Sequence, residues 1–156
     1  LIICMALIPA LTASAWRLQF VDIPRERHAH GAPIAKVGGI AFAVATFAAV
    51  LLWAPKDRLI LTSLLGGAII LLFGMWDDRI GLNHRMKFIG QILAAATVVG
   101  LAGVRVTTVP FIDEALLPLW VAVPLTLLLI VGVTNAVNLA DGLDGLAGGL
   151  SLISNA

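Results

Sequence analysis

Charge is scarce in this chain: Asp, Glu, Lys and Arg make up only 12% of its 156 residues. The basic residues form no stripe or block, which excludes the electrostatic footprint of a nucleic-acid binder. The single cysteine, Cys4, excludes an internal disulfide framework; inside its apolar run it reads as a small residue facing lipid or a neighbouring helix. Residues 1–15 lack a basic leader region and a clear cleavage signal, so they read as helix rather than as a signal peptide. Internal repeats are not apparent, and neither is the alternation of polar and apolar residues that barrel strands would need.

What is present in quantity is apolar sequence, 60% of the residues, with a mean hydropathy of +1.04 that lies outside the soluble globular range. A membrane span needs about 20 apolar residues, or about 17 at the short end. Charge-free runs at 1–16, 38–54, 59–76, 88–104, 119–134 and 146–156 are the candidates, the first and last cut short. Only helices satisfy their own backbone in lipid at such lengths. The expected fold is therefore all-α, a polytopic transmembrane bundle of about six spans. Residues 1–156 read as one integral-membrane domain, the N-terminal part of a longer protein.

All four tryptophans, Trp16, Trp53, Trp76 and Trp120, fall at the ends of these runs, where an amphipathic ring prefers the headgroup layer. Loops one, three and five hold Arg17, Arg25, Arg27, Lys36, Arg79, Arg85 and Lys87. Loops two and four hold only Lys56, Arg58 and Arg105. The positive-inside rule then places the odd loops in the cytoplasm. Asp77 and Asp78 open loop three, Asp141 and Asp144 lie in loop five, and loop one adds His28, His30 and Lys36, so all emerge at one face. Loop two is a tight Pro55–Arg58 turn, and loop four, around Val106 to Pro118, is expected to form a short hairpin or half-helix without chemistry.

The acids need a reason to be there, because an acid at the centre of a membrane helix costs about 2.5–3.5 kcal/mol on insertion scales. Two carboxylates about 6 Å apart repel by roughly 3 kcal/mol at an effective dielectric near 20. A cluster of four invites a divalent cation, and oxygen donors favour Mg²⁺ over zinc. Asp77 and Asp78 are also readable as a solvated helix end; as neighbours on a helix they point about 100° apart and cannot both face one ligand squarely. Asn135, Asn138, Asp141 and Asp144 advance by three, so neighbouring members share a helix face. Capping explains one or two of them, not four. Gly142 and Gly145 would let a ligand approach the backbone. His28 and His30 are too close and too isolated for a zinc site, and loop one is equally readable as a basic segment on anionic lipid. The pairs Gly38-Gly39 and Gly66-Gly67 are expected to be close helix-packing surfaces.

Three segments together resemble the polyprenyl-phosphate N-acetylhexosamine-1-phosphate transferase family. They are Asp22-x-Pro24…Arg27-x-x-His30-x-x-Pro33-Ile34-x-Lys36-x-Gly38-Gly39, Asp77-Asp78…Leu82…Lys87-Phe88-x-x-Gln91, and Asn135-x-x-Asn138-x-x-Asp141-Gly142-x-Asp144-Gly145-Leu146. They occur in the family's order and cover nearly the whole chain. The loop-one pattern looks like the N-acetylglucosamine-1-phosphate branch, whereas the muramyl-pentapeptide branch usually has Pro-Thr-Met-Gly-Gly where this chain reads Ile34-Ala35-Lys36-Val37-Gly38-Gly39.

The resemblance implies an enzyme of a bacterial inner membrane, with ten or eleven spans and its site on the cytoplasmic face. A further Asp and a His-rich motif would lie beyond residue 156. The implied reaction moves a sugar-1-phosphate, N-acetylglucosamine-1-phosphate or a relative, from a UDP-sugar to undecaprenyl phosphate and releases UMP, an opening step of cell-envelope polysaccharide synthesis. Asp77 and Asp78 would position or deprotonate the lipid phosphate, and Lys87 would hold a phosphate. Asn138, with Asp78, would bind Mg²⁺, with Mn²⁺ as a substitute. Asn135, Asp141, Asp144, His30 and Lys36 would contact substrate. The expected partners are undecaprenyl phosphate, the UDP-sugar and the bilayer, with a homodimer as the candidate assembly. The alternatives are the muramyl-pentapeptide branch and, from another class, an ion-coupled transporter, which would place its acids at mid-span.

Overall fold

The computed structural model describes residues 2–18, 21–22, 34–35, 37–108 and 116–140. Among these residues five α-helices follow one another: α1 (Ile2–Leu18), α2 (Gly38–Trp53), α3 (Arg58–Ile80), α4 (His84–Thr97) and α5 (Leu119–Ala140). A π-turn over Val98–Ala102 continues α4. Between α1 and α2 the backbone forms a two-residue antiparallel ladder, β1 (Val21–Asp22) with β2 (Ile34–Ala35), which no pattern in the sequence foretold.

The helical membrane fold is as expected. Among the described residues three helices are long and apolar enough to cross a membrane: Arg58–Ile80, His84–Ala102 and Leu119–Leu139. The first two runs also form apolar helices, but shorter ones, of 17 and 16 residues. The sixth run, 146–156, lies outside the described residues, as does most of loop four. At the base of loop four, Leu117 N donates to Thr107 O at 2.8 Å.

The helices touch through small side chains. Buried apolar positions are Ala15, Val37, Ala41, Ala45, Ala94, Ala95, Val99 and Ala122, and no large side chain is fully buried among the described residues. Lipid offers an apolar side chain as good a solvent as a protein core does, so helices associate where backbones approach closely. Gly66 illustrates this: a Cβ there would meet Val98 Cγ2 at 3.1 Å and Ala94 O at 3.2 Å. Gly67 lies against the Phe47 ring, 3.3 Å from a virtual Cβ. The other glycine pair differs from expectation: Gly38 and Gly39 are exposed, and among the described residues a Cβ on either would meet nothing within 4 Å.

Two helix ends also differ from expectation. Hydropathy stops at Trp76, yet α3 runs on to Ile80, so Asp77 and Asp78 belong to its last turns and not to loop three. Gly81 sets that end by adopting φ 69°, a left-handed conformation that costs glycine little, and its N–H donates to Asp77 O at 2.8 Å. Likewise α5 continues past Thr134 to Ala140 and carries Asn135 and Asn138 on regular helix. Helix propagation needs only backbone bonds, so it does not end where side chains become polar.

Candidate active site

The turn from α3 to α4 is three residues long, and its polar groups are satisfied locally. Asp77 accepts from Leu82 N through Oδ1 at 2.8 Å. Asn83 caps α4, its Oδ1 accepting from Arg85 N at 2.6 Å. The tightness of this turn sets α3 and α4 side by side, one turn back from their joined ends, and there Lys87 Nζ reaches Asp77 Oδ2 at 2.7 Å. A carboxylate in the last turn of a helix opposes the negative end of the macrodipole. Here the ammonium and the Leu82 N–H offset that disadvantage. The pair is part-exposed, with 45% of the Lys87 side chain and 28% of Asp77 accessible, so it is worth no more than about 1 kcal/mol.

A cavity of about 190 Å³ opens beside this pair. Its wall comprises Ile70, Phe73, Gly74 and Asp77 from α3, Lys87, Gly90 and Gln91 from α4, and Thr134 and Asn138 from α5. Gly90 is needed for the helices to meet, because a Cβ there would lie 2.5 Å from Phe73 Cγ. Behind the wall, Asn135 Nδ2 donates to Gln91 Oε1 at 2.6 Å and to Val131 O at 2.9 Å, while Gln91 Nε2 donates to Asn135 Oδ1 at 3.3 Å. Thr134 Oγ1 bonds its own helix at Ile130 O, 2.8 Å.

Of the residues singled out in the sequence, Asp77, Lys87 and Asn138 come together in one wall. Asp78 is exposed on the neighbouring position and is not part of that wall, as the 100° step between adjacent helix residues requires. Asn135 stands behind it. His30, Lys36, Asp141 and Asp144 lie outside the described residues. Gln91 had only a place in a motif, and Phe73, Gly74, Gly90 and Thr134 had no assigned part. Their contribution is to shape, which depends on the rotational phase of three helices.

The donor set bears on a cation. Among the described residues no three Asp, Glu, His or Cys side chains converge. The wall offers the Asp77 carboxylate and the Asn138 carboxamide, both hard oxygen donors. That matches an ion which keeps several waters and takes its remaining ligands from a substrate phosphate, as Mg²⁺ does. Among the described residues the wall carries no thiolate or imidazole. The volume is below the roughly 300–1,000 Å³ of sites that enclose a whole small molecule, so the described walls would embrace a headgroup and not an entire nucleotide sugar.

The glycosyl transferase family 4 profile matches residues 60–156, and the chain belongs to that family. A Bacillus subtilis (strain 168) protein named "Probable undecaprenyl-phosphate N-acetylglucosaminyl 1-phosphate transferase" is 37% identical over 98% of this chain and 43% of its own length. A Mycobacterium leprae decaprenyl-phosphate N-acetylglucosaminephosphotransferase is 40% identical over 88% of the chain and 38% of its own length. A phospho-N-acetylmuramoyl-pentapeptide-transferase of Caldanaerobacter subterraneus is 36% identical over 75% of the chain and 40% of its own length. The chain thus spans about two fifths of the length of these relatives. No solved structure matches it significantly.

Proposed function

We propose that the full-length protein transfers N-acetylglucosamine-1-phosphate, or a closely related hexosamine-1-phosphate, from a UDP-sugar to undecaprenyl phosphate at the cytoplasmic face of a bacterial inner membrane. The observation that carries this reading is the Asp77–Lys87 pair sharing one cavity wall with Asn138 at the polar ends of three membrane-length helices. The acceptor phosphate is fixed at the membrane interface and the nucleotide sugar arrives from water, so the reaction belongs at such an edge.

The chemistry asks little of covalent catalysis and much of placement and charge. An oxygen of the lipid phosphate attacks the sugar-bearing phosphorus of the donor, the pyrophosphate bond to UMP breaks, and UMP departs with the bond's electron pair. Lys87 has three N–H donors, one of them directed to Asp77, which leaves two for phosphate oxygens. Each oxygen of Asp77 already accepts one hydrogen bond and retains capacity for another, enough to take the last proton of the lipid phosphate. Asn138 and Asp77 are the residues that would hold Mg²⁺, whose chemistry is to neutralise the pyrophosphate and the charge growing on the leaving group. By the family resemblance, Asp78, Asp141 and Asp144 would add further polar contacts to the substrates.

The muramoyl-pentapeptide donor is the second reading. The Caldanaerobacter relative supports it, and the Ile34–Gly39 sequence argues against it. Both enzyme readings differ from ion-coupled transport in a single assay. Purified full-length protein with undecaprenyl phosphate and UDP-N-acetylglucosamine should release UMP, stop with EDTA, and resume with Mg²⁺ or Mn²⁺. UMP release only from the UDP-muramoyl-pentapeptide would move the protein to the other branch. EDTA-insensitive transfer would remove the metal assignment, and absence of any lipid-linked sugar would remove the enzyme reading altogether.

A further inference from the structure

Gln91 and Asn135 form a two-point carboxamide pair across α4 and α5, 44 residues apart in sequence. One hydrogen bond between helices fixes a distance; two reciprocal ones also fix rotation. Asn135 has no N–H left, because the second goes to Val131 O of its own helix. Its side chain is thereby locked to α5, and Gln91 is locked to it. Asn135 does not line the cavity, whereas Gln91 and Asn138 do.

The placement of this pair matters as much as its geometry. Gln91 follows Lys87 by four residues, and Asn138 follows Asn135 by three, so each member sits about one helical turn from a wall residue on a shared face. The carboxamide pair therefore joins the two helices one turn deeper than Lys87 and Asn138. Among the described residues the Asn135 side chain bonds only Gln91 and Val131 O, and α5 carries no basic residue in its last turn, so the pair is the polar contact that sets its rotation at this depth.

We propose that Asn135 is a positioning residue: paired with Gln91, it sets the rotation of α5 against α4 and hence the spacing of Asn138 from Lys87, without contacting substrate itself. This rests on the transferase reading above. A misplacement of about 1 Å in such a constellation costs about a hundredfold in rate. In the full-length enzyme, at equal amounts of inserted protein, Asn135→Leu should lower kcat by about that factor while KM for both substrates stays put. The double variant Gln91→Leu/Asn135→Leu, which leaves no unpaired polar group, should insert and melt like wild type yet remain slow. The exchanged pair Gln91→Asn/Asn135→Gln should recover most of the rate. Recovery by the double leucine variant would reduce the pair to packing, and a raised KM with kcat intact would make Asn135 a substrate ligand; either overturns the proposal. If the wild type transfers no sugar phosphate, the functional reading fails on its own, and a distance measurement decides the positioning role. Spin labels at Ile89→Cys and Leu139→Cys, both exposed positions, in a cysteine-free background should give a narrow distance distribution. Asn135→Leu should broaden or shift it; an unchanged distribution overturns the proposal.

Discussion

Asp77 holds two bonds through different oxygens, and the two can be separated by substitution. Its Oδ1 accepts the Leu82 N–H and stabilises the α3–α4 turn, while Oδ2 meets the Lys87 ammonium. Asp77→Asn keeps an oxygen for Leu82 and loses the charge. It should cost no more than about 1 kcal/mol of stability and lower transfer at least about a hundredfold, the low end for loss of an acid–base group. Asp77→Ala also strips the acceptor from a part-buried N–H and should cost about 1 kcal/mol more. Thermal unfolding in detergent alongside UMP release checks both, and near-normal activity of Asp77→Asn would return the residue to a purely structural role. The split between Asp77 and Asp78 was not legible in the sequence, where the two stand as equals. Only the rotational phase of α3 brings one into the wall and leaves the other outside it.

Two glycines of the cavity wall invite opposite expectations at the level of helices. A methyl group on Gly90 would overlap the Phe73 ring, so Gly90→Ala should push α3 and α4 apart and destabilise by about 1–3 kcal/mol. A methyl group on Gly74 would meet nothing within 4 Å. Gly74→Ala should leave the melting temperature unchanged or slightly raised, since alanine is the better helix former, and should weaken lipid-phosphate binding by narrowing the cavity. Melting curves and KM for the lipid, measured on both variants, test the contrast; a stability loss in Gly74→Ala of the same size as in Gly90→Ala would refute it. The existence of the helices was legible because their apolar runs are long and uninterrupted. Their ends were not, because backbone bonding carries α3 through Asp77 and Asp78 to the left-handed Gly81, and carries α5 through both asparagines. The Gln91–Asn135 contact was equally hidden, since two polar residues 44 positions apart carry no local mark of being neighbours.

Over the whole molecule the segregation of charge makes a claim about orientation. Asn83, in the exposed α3–α4 turn, should be reached from the cytoplasm: an Asn83→Cys probe in the full-length protein should resist a membrane-impermeant reagent applied to intact cells and react once the membrane is opened. Labelling in intact cells would invert the site. The bundle itself is a thin assembly. Within the spanning window of α3 only 11% of residues are buried, and Leu72, Trp53, Trp120 and Leu128 are all more than half exposed. Helix length then acquires a meaning beyond counting spans. α3 has 23 residues and α2 has 16, or about 35 Å and 24 Å of helix at 1.5 Å per residue. A hydrocarbon layer is about 30 Å thick. α3 can tilt to fit it, but beside α2 either the lipid thins or the polar ends of the helix sink, so the bundle carries a built-in hydrophobic mismatch. If the lipid is what yields, the acyl layer would be drawn inward on that flank, and membrane thickness would become a variable to which this protein is mechanically coupled.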